Sequence, residues 1–270
     1  MSVTGSSLVN TSSNGQPTNN EDRPFSFALG TQIFLNPTDD PTDAVISFKA
    51  NADLLAGSLA SGASNLAVGL AVDSQLNSLS GWGETFISTS SSNIFAVGFG
   101  RMSTAANKVG VNVAGTQVTT IGKTQQVTSI SLADNALSVS GHPFNTGDRV
   151  VVKSTATVPG GLSAAVSYYA IVATSNTIKL ASSRVNALGG SDIDIQSSGS
   201  GTITVESDEI FTLTRAGSSG SVTLQKDGVT IATFTNTNSA SPLRLFYWCR
   251  EQSASNSSPI VKEIKVRGAI

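Results

Sequence analysis

Cysteine and histidine are almost missing: Cys249 and His142 stand alone in 270 residues. One thiol excludes an internal disulfide framework and a thiolate zinc cluster, and one imidazole excludes a multi-histidine metal site. Proline occurs only 8 times, which excludes a proline-rich linker, and aromatic residues make up 6%. Charge is sparse too, at 13% with a formal net charge of -2. A phosphate-binding surface needs clustered Lys and Arg, so no nucleic-acid partner is expected. No apolar run approaches the roughly 20 residues that span a bilayer, and no membrane insertion is expected. The polar N-terminus lacks the basic start and apolar core of a signal peptide. Walker loops, dinucleotide fingerprints and zinc-ligand spacings are absent, so no cofactor or metal is expected.

What is present has β character. About a quarter of the chain is Ser or Thr, with 25 glycines, and these residues compete with helical backbone bonding. No amphipathic helix longer than about three turns fits a 3.6-residue period. Short alternating or apolar runs separated by Gly, Asn, Asp and Ser are frequent instead, the pattern of a sandwich or barrel. The fold class predicted is all-β.

Four segments follow from the texture. Residues 1–24 are polar, with little to bury beyond Leu8 and Val9. Such a stretch cannot recover its ordering entropy alone, so it is expected to be an N-terminal arm docking on another chain. Residues 25–120 form a second segment, with strands expected over 44–50, 66–72, 85–88, 94–99 and 108–113. The run 66–72 is nearly continuous in apolar residues and is expected to be central in a sheet. The third segment, 121–205, holds a compact turn block and strands over 149–153, 168–173, 177–180 and 202–205. The fourth, 206–270, alternates most clearly, over 210–214, 221–225, 229–234, 243–249 and 260–266. Its Asp227-Gly228 pair is a strong signal for a type I′ hairpin.

Two resemblances accompany this reading. The stretch Phe211 to Val266, with its Gln225-Lys226-Asp227-Gly228 hairpin, resembles the second half of a concanavalin A-like lectin jelly roll. The earlier strands would come from Phe25 to Val113. The middle block is more distinctive. Gly141-His142-Pro143-Phe144-Asn145-Thr146-Gly147-Asp148, Pro159-Gly160-Gly161-Leu162, Tyr168-Tyr169-Ala170-Ile171 and Asn176-Thr177-Ile178-Lys179-Leu180-Ala181 resemble a small β module of bacteriophage virion proteins, especially tail-fibre and tail-associated ones. Asn186-Ala187 and Gly199-Ser200-Gly201-Thr202 fit the same pattern. By its place in the chain, this barrel-like module is expected to be inserted within the jelly roll.

The resemblance implies a virion structural protein assembled in the host cytoplasm. A tail-fibre or receptor-binding component, forming a homotrimer, is the first expectation. A capsid decoration or head-fibre protein is the alternative, and a glycan depolymerase the third. No catalytic residues are expected. Glu206, Asp208 and Glu209 resemble part of the acidic motif of jelly-roll glucanases, but Phe211 stands where the second glutamate belongs. His142 lacks a nucleophile elbow and is expected to hold its turn by a hydrogen bond. Asp39, Asp40 and Asp43 lack the ligand order of an EF-hand and read as an acidic turn. Trp82, flanked by Gly81 and Gly83, and Tyr247, beside Trp248, are the candidate contacts for a host glycan, because exposed rings stack on sugars. Trp248 and Cys249 are expected in the core.

Overall fold

A computed structural model describes residues 22–25, 44–51, 64–72, 94–101, 108–113, 116–216, 221–234, 243–250 and 260–267. Two compact units result: Met1–Thr120 with Ile210–Ile270, and Ile121–Glu209. The chain is all-β apart from one five-residue helix among the described residues.

The first unit has two sheets. The larger is ordered β1 (Asp22–Phe25), β17 (Leu243–Arg250), β3 (Ser64–Val72), β4 (Ile94–Arg101), β5 (Lys108–Val113), β6 (Thr116–Gly122). The smaller is ordered β16 (Val229–Phe234), β15 (Val222–Lys226), β14 (Ile210–Arg215), β2 (Ala44–Asn51), β18 (Ile260–Arg267). Alternation sends Ile46, Phe48 and Ala50 of β2 inward, together with Phe211 and Leu213 of β14. Opposite them, β4 buries Phe95, Val97 and Phe99. Phe48 stacks on Phe211 at 5.8 Å, and Phe99 meets both edge-on at 6.1 and 5.4 Å. Phe95 meets Phe234 of β16 in the same way, at 5.6 Å. These contacts join the inner faces of the two sheets into a jelly-roll-like sandwich. The run 66–72 does lie inside its sheet, between β17 and β4, and Val68, Gly69 and Leu70 are buried in succession.

Strands from the two ends of the chain pair directly. β14 runs antiparallel to β2, with Leu213 opposite Ile46, and β17 runs antiparallel to β3, with Tyr247 opposite Val68. The strand ladder therefore closes across residues 121–209. Asp22, Arg23 and Pro24, which the sequence assigns to the arm, pair instead with Arg250, Cys249 and Trp248 as edge strand β1. An edge tolerates Pro24 because no ladder bond is needed on its outer side. The rest of the arm lies outside the described residues, as does the strand expected over 85–88. At the β15–β16 turn, Asp227 and Gly228 both have positive φ, 49° and 80°, as a type I′ hairpin requires.

The second unit contains β7 (Gln125–Gln126), β8 (Ser129–Ser131), β9 (Ala136–Ser138), β10 (Arg149–Ser154), β11 (Ser167–Thr174), β12 (Thr177–Ala181), α1 (Arg184–Leu188) and β13 (Ile203–Ser207). Its sheet order is β7-β13-β10-β11-β12-β9-β8. The two ends of that order are one continuous segment. Val127 N bonds to Ile203 O on the β13 side, and Thr128 N bonds to Ser138 O on the β9 side, both at 2.9 Å. A single strand thus switches partners at residues 127–128 and closes the sheet into a small barrel. Inside it lie Leu137, Val139, Val150, Val152, Ala170, Ile178, Leu180 and Val205. β13 outruns the segment boundary expected at 205: it extends to Ser207, and Asp208 N still bonds to Arg149 O on β10.

Candidate functional site

The turn block of the barrel fixes His142. Gly141, at φ 57°, turns the chain so that its N–H reaches Asn176 Oδ1 at 2.8 Å. Asn145 and Asp148 close the next turn, the Asp148 carboxylate accepting from Asn145 N at 2.8 Å. Thr146 Oγ1 accepts from Val172 N at 3.0 Å. His142 Nε2 lies 2.7 Å from Thr174 O, and its ring stacks on Phe144. That bond reaches from the turn block to the far end of β11. His142 therefore ties two turns together, where the sequence predicts a bond inside its own turn.

Two of the three acidic residues, Glu206 and Asp208, are held by cations of β10. Glu206 opposes Val151 across the β10–β13 ladder and forms an ion pair with Lys153. Asp208 pairs with Arg149 at 3.3 Å and accepts a hydrogen bond from Ser167 Oγ. Arg149 also donates to Ser167 Oγ at 2.7 Å. Glu209 is fully buried, so the three carboxylates do not share one face. Arg149, Lys153 and Ser167 are partners that sequence reasoning missed. The period-2 pattern of 149–153 put the two cations on one face, but the register with β13 was needed to see what they meet.

A third pair joins β12 to the segment after α1. Lys179 Nζ lies 3.0 Å from Asp192 Oδ2. The Lys179 hydrogen bond holds the Asp192 carboxyl below its usual range, although partial burial opposes this. Arg215, at 2% exposure on the inward face of β14, is desolvated, which draws its guanidinium below the ordinary arginine value.

The candidate glycan contacts are not brought together among the described residues. Tyr247 is on β17, its backbone between Val68 and Phe25. Trp82 lies outside the described residues, as do Asp39, Asp40 and Asp43. The side chains of Trp248 and Cys249, expected in the core, are also outside them. No group of three His, Cys, Asp or Glu positioned to hold a metal occurs among the described residues.

No family model and no curated protein matches the chain. Among solved structures it is similar to the endo-1,3-beta-glucanase from Streptomyces sioyaensis, with a TM-score of 0.26 and 10% identity. The match covers 83% of this chain and 63% of the enzyme, so the chain spans less than two thirds of the glucanase's length. A likeness at that score carries no argument about activity, and the fold stands on the strand pairing itself.

Proposed function

We propose that this chain is a structural component of a bacteriophage virion, acting in the tail as a fibre or receptor-binding protein. One observation carries the reading. The residues by which 141–202 resembles the phage module are residues that build the turns and core of the barrel. Gly141, Asn145, Thr146, Asp148 and Asn176 make its turn bonds. Tyr168 is buried, with its hydroxyl accepting from Ser163 N at 2.7 Å. Gly161, Gly199 and Gly201 supply positive φ. A motif used for folding suits a module that serves as a building block, and a body interrupted by such a block suits an assembly protein. The cross-strand ion pairs of Glu206 and Asp208 fit a surface that is held still. In this proposal the protein works by binding and not by catalysis. It self-associates as a symmetric homo-oligomer, docks on the virion through residues 1–24, and meets a host glycan at Trp82 and Tyr247.

Immunogold electron microscopy of purified particles, with antibodies raised against the recombinant chain, tests the location. Label at the tail is expected, with the free protein slowing particle adsorption to host cells. Label on the head would replace the tail reading with capsid decoration, and unlabelled particles would overturn the virion reading.

A further inference from the structure

Tyr169 lies outside the barrel core. On β11, Tyr168 and Ala170 are buried, so alternation turns Ser167 and Tyr169 to the outer side, where both are part-exposed. The Tyr168 hydroxyl accepts from Ser163 N, whereas the Tyr169 hydroxyl has no hydrogen bond among the described residues. Tyr169 thus carries to the surface a flat apolar ring with a polar tip.

The register sets fixed polar groups beside it. Arg149 stands directly opposite Tyr169 on β10, and the Cβ atoms of such a pair are about 5 Å apart. Its guanidinium donates to Ser167 Oγ at 2.7 Å and pairs with Asp208 at 3.3 Å, while Ser167 Oγ donates in turn to Asp208. Further along the same face, Lys153 pairs with Glu206. Arg149, Asp208 and Glu206 keep 19%, 15% and 17% of their side-chain surface exposed, so they are held in place yet within reach. On the other side of Tyr169 the cross-strand neighbour is only Ala181. The two cations and two carboxylates cancel, which leaves this surface no net charge with which to select an ion.

We infer that this outer face of the barrel binds a neutral glycan, with a hexose ring stacked on Tyr169 and its hydroxyls bonded to the Arg149–Asp208 pair. The C–H groups on the face of a sugar suit the negative face of an aromatic ring. Each sugar hydroxyl both donates and accepts, while arginine only donates and an ionised carboxylate only accepts. The pair therefore serves both needs of a vicinal diol. An anion would meet Asp208 and Glu206, a cation would meet Arg149 and Lys153, and an apolar segment would strip water from all four charges. Because Arg149, Ser167 and Asp208 already hold one another, little ordering is left for binding to impose. This site lies beyond the glycan contacts at Trp82 and Tyr247. It depends on the barrel alone, so it and the virion reading can fail separately.

Two-dimensional NMR of the full chain, titrated with glucose, galactose, mannose and N-acetylglucosamine, tests it. At least one of these sugars should shift the amides of Arg149, Ser167, Tyr169 and Asp208, with a Kd of about 1–10 mM for a single ring. Tyr169→Phe keeps the ring and should keep the binding. Tyr169→Ala should weaken it about tenfold with unchanged circular dichroism, and Trp82→Ala with Tyr247→Ala should leave it intact. Independently of any variant, saturating the tyrosine ring protons of the wild type should transfer magnetisation to the bound sugar. No shift with any of the sugars, shifts confined to other residues, binding that survives Tyr169→Ala or is lost with Trp82 and Tyr247, or shifts at this face with inorganic phosphate in place of sugar would each overturn the inference.

Discussion

Gly161 shows how the barrel depends on single residues. Its φ is 89°, and a Cβ placed there would lie 2.2 Å from Asp194 O. The clash is with backbone, which cannot rotate away, so two penalties combine: a left-handed conformation and a displaced chain. Gly161→Ala is expected to destabilise the barrel by about 2–4 kcal/mol. Thermal unfolding followed by circular dichroism would show it. Gly190→Ala is the comparison, because φ there is also positive, at 75°, but nothing lies within 4 Å; only the conformational penalty, about 1 kcal/mol, should remain. At the same scale, the acidic residues are only half legible in the sequence. The incomplete glucanase pattern around Phe211 was legible, since it is a matter of identity along the chain. The destinations of Glu206 and Asp208 were not, because Lys153 and Arg149 lie more than 50 residues away and reach them only through the β10–β13 register.

Elements were more legible than contacts. Alternation located β2, β10 and β14 to within a residue or two at each end, because one face of each is buried and the pattern must keep period 2. β5 and β16 were located as closely by the turn residues that bound them. Strands with little apolar alternation escaped. β6, β7 and β8 are short of large apolar residues, and the segment from Gln125 to Ser131 serves two partners in turn. Helix α1 escaped because five residues give no periodicity. Its visible signals were Ser183, whose hydroxyl accepts from Asn186 N at 3.1 Å, and Gly189 at the C-cap. The partner switch is the barrel's closure, and it hinges on Thr128 N. Thr128→Pro removes that donor and restricts Val127 before it, and is expected to cost about 1–3 kcal/mol. Amide exchange should rise in β8 and β9 while the β10–β11 pair stays protected. Thr128→Val keeps the N–H and should keep the protection. Uniform exchange in the proline variant would mean that closure is not where the barrel opens.

Across the whole chain, the governing fact is that the sandwich is written in two pieces. Thr120, the last residue of the first piece, accepts from Lys226, and Ile210, the first of the second, exchanges bonds with Asp227. The two junctions thus meet neighbouring residues at one hairpin. Ends held close make an insertion cheap, since closing a loop depends only logarithmically on its length. Replacing 121–209 by a short Gly-Ser linker should therefore shift sandwich stability by only about 1–2 kcal/mol, against a typical domain stability of about 5–15 kcal/mol. A soluble protein with a single cooperative unfolding transition is the expected product. Residues 1–120 alone face a different balance. Without the second piece β2 loses both neighbours, β14 and β18, and β3 loses β17. Phe48 and Phe99 would also lose Phe211. That fragment would expose unpaired strand edges beside an uncovered apolar face, the combination that drives aggregation. Analytical ultracentrifugation and calorimetry of the two products separate the possibilities: a cooperatively folding 1–120 fragment would refute the two-piece sandwich, because its strands would then need no partner from beyond the insertion.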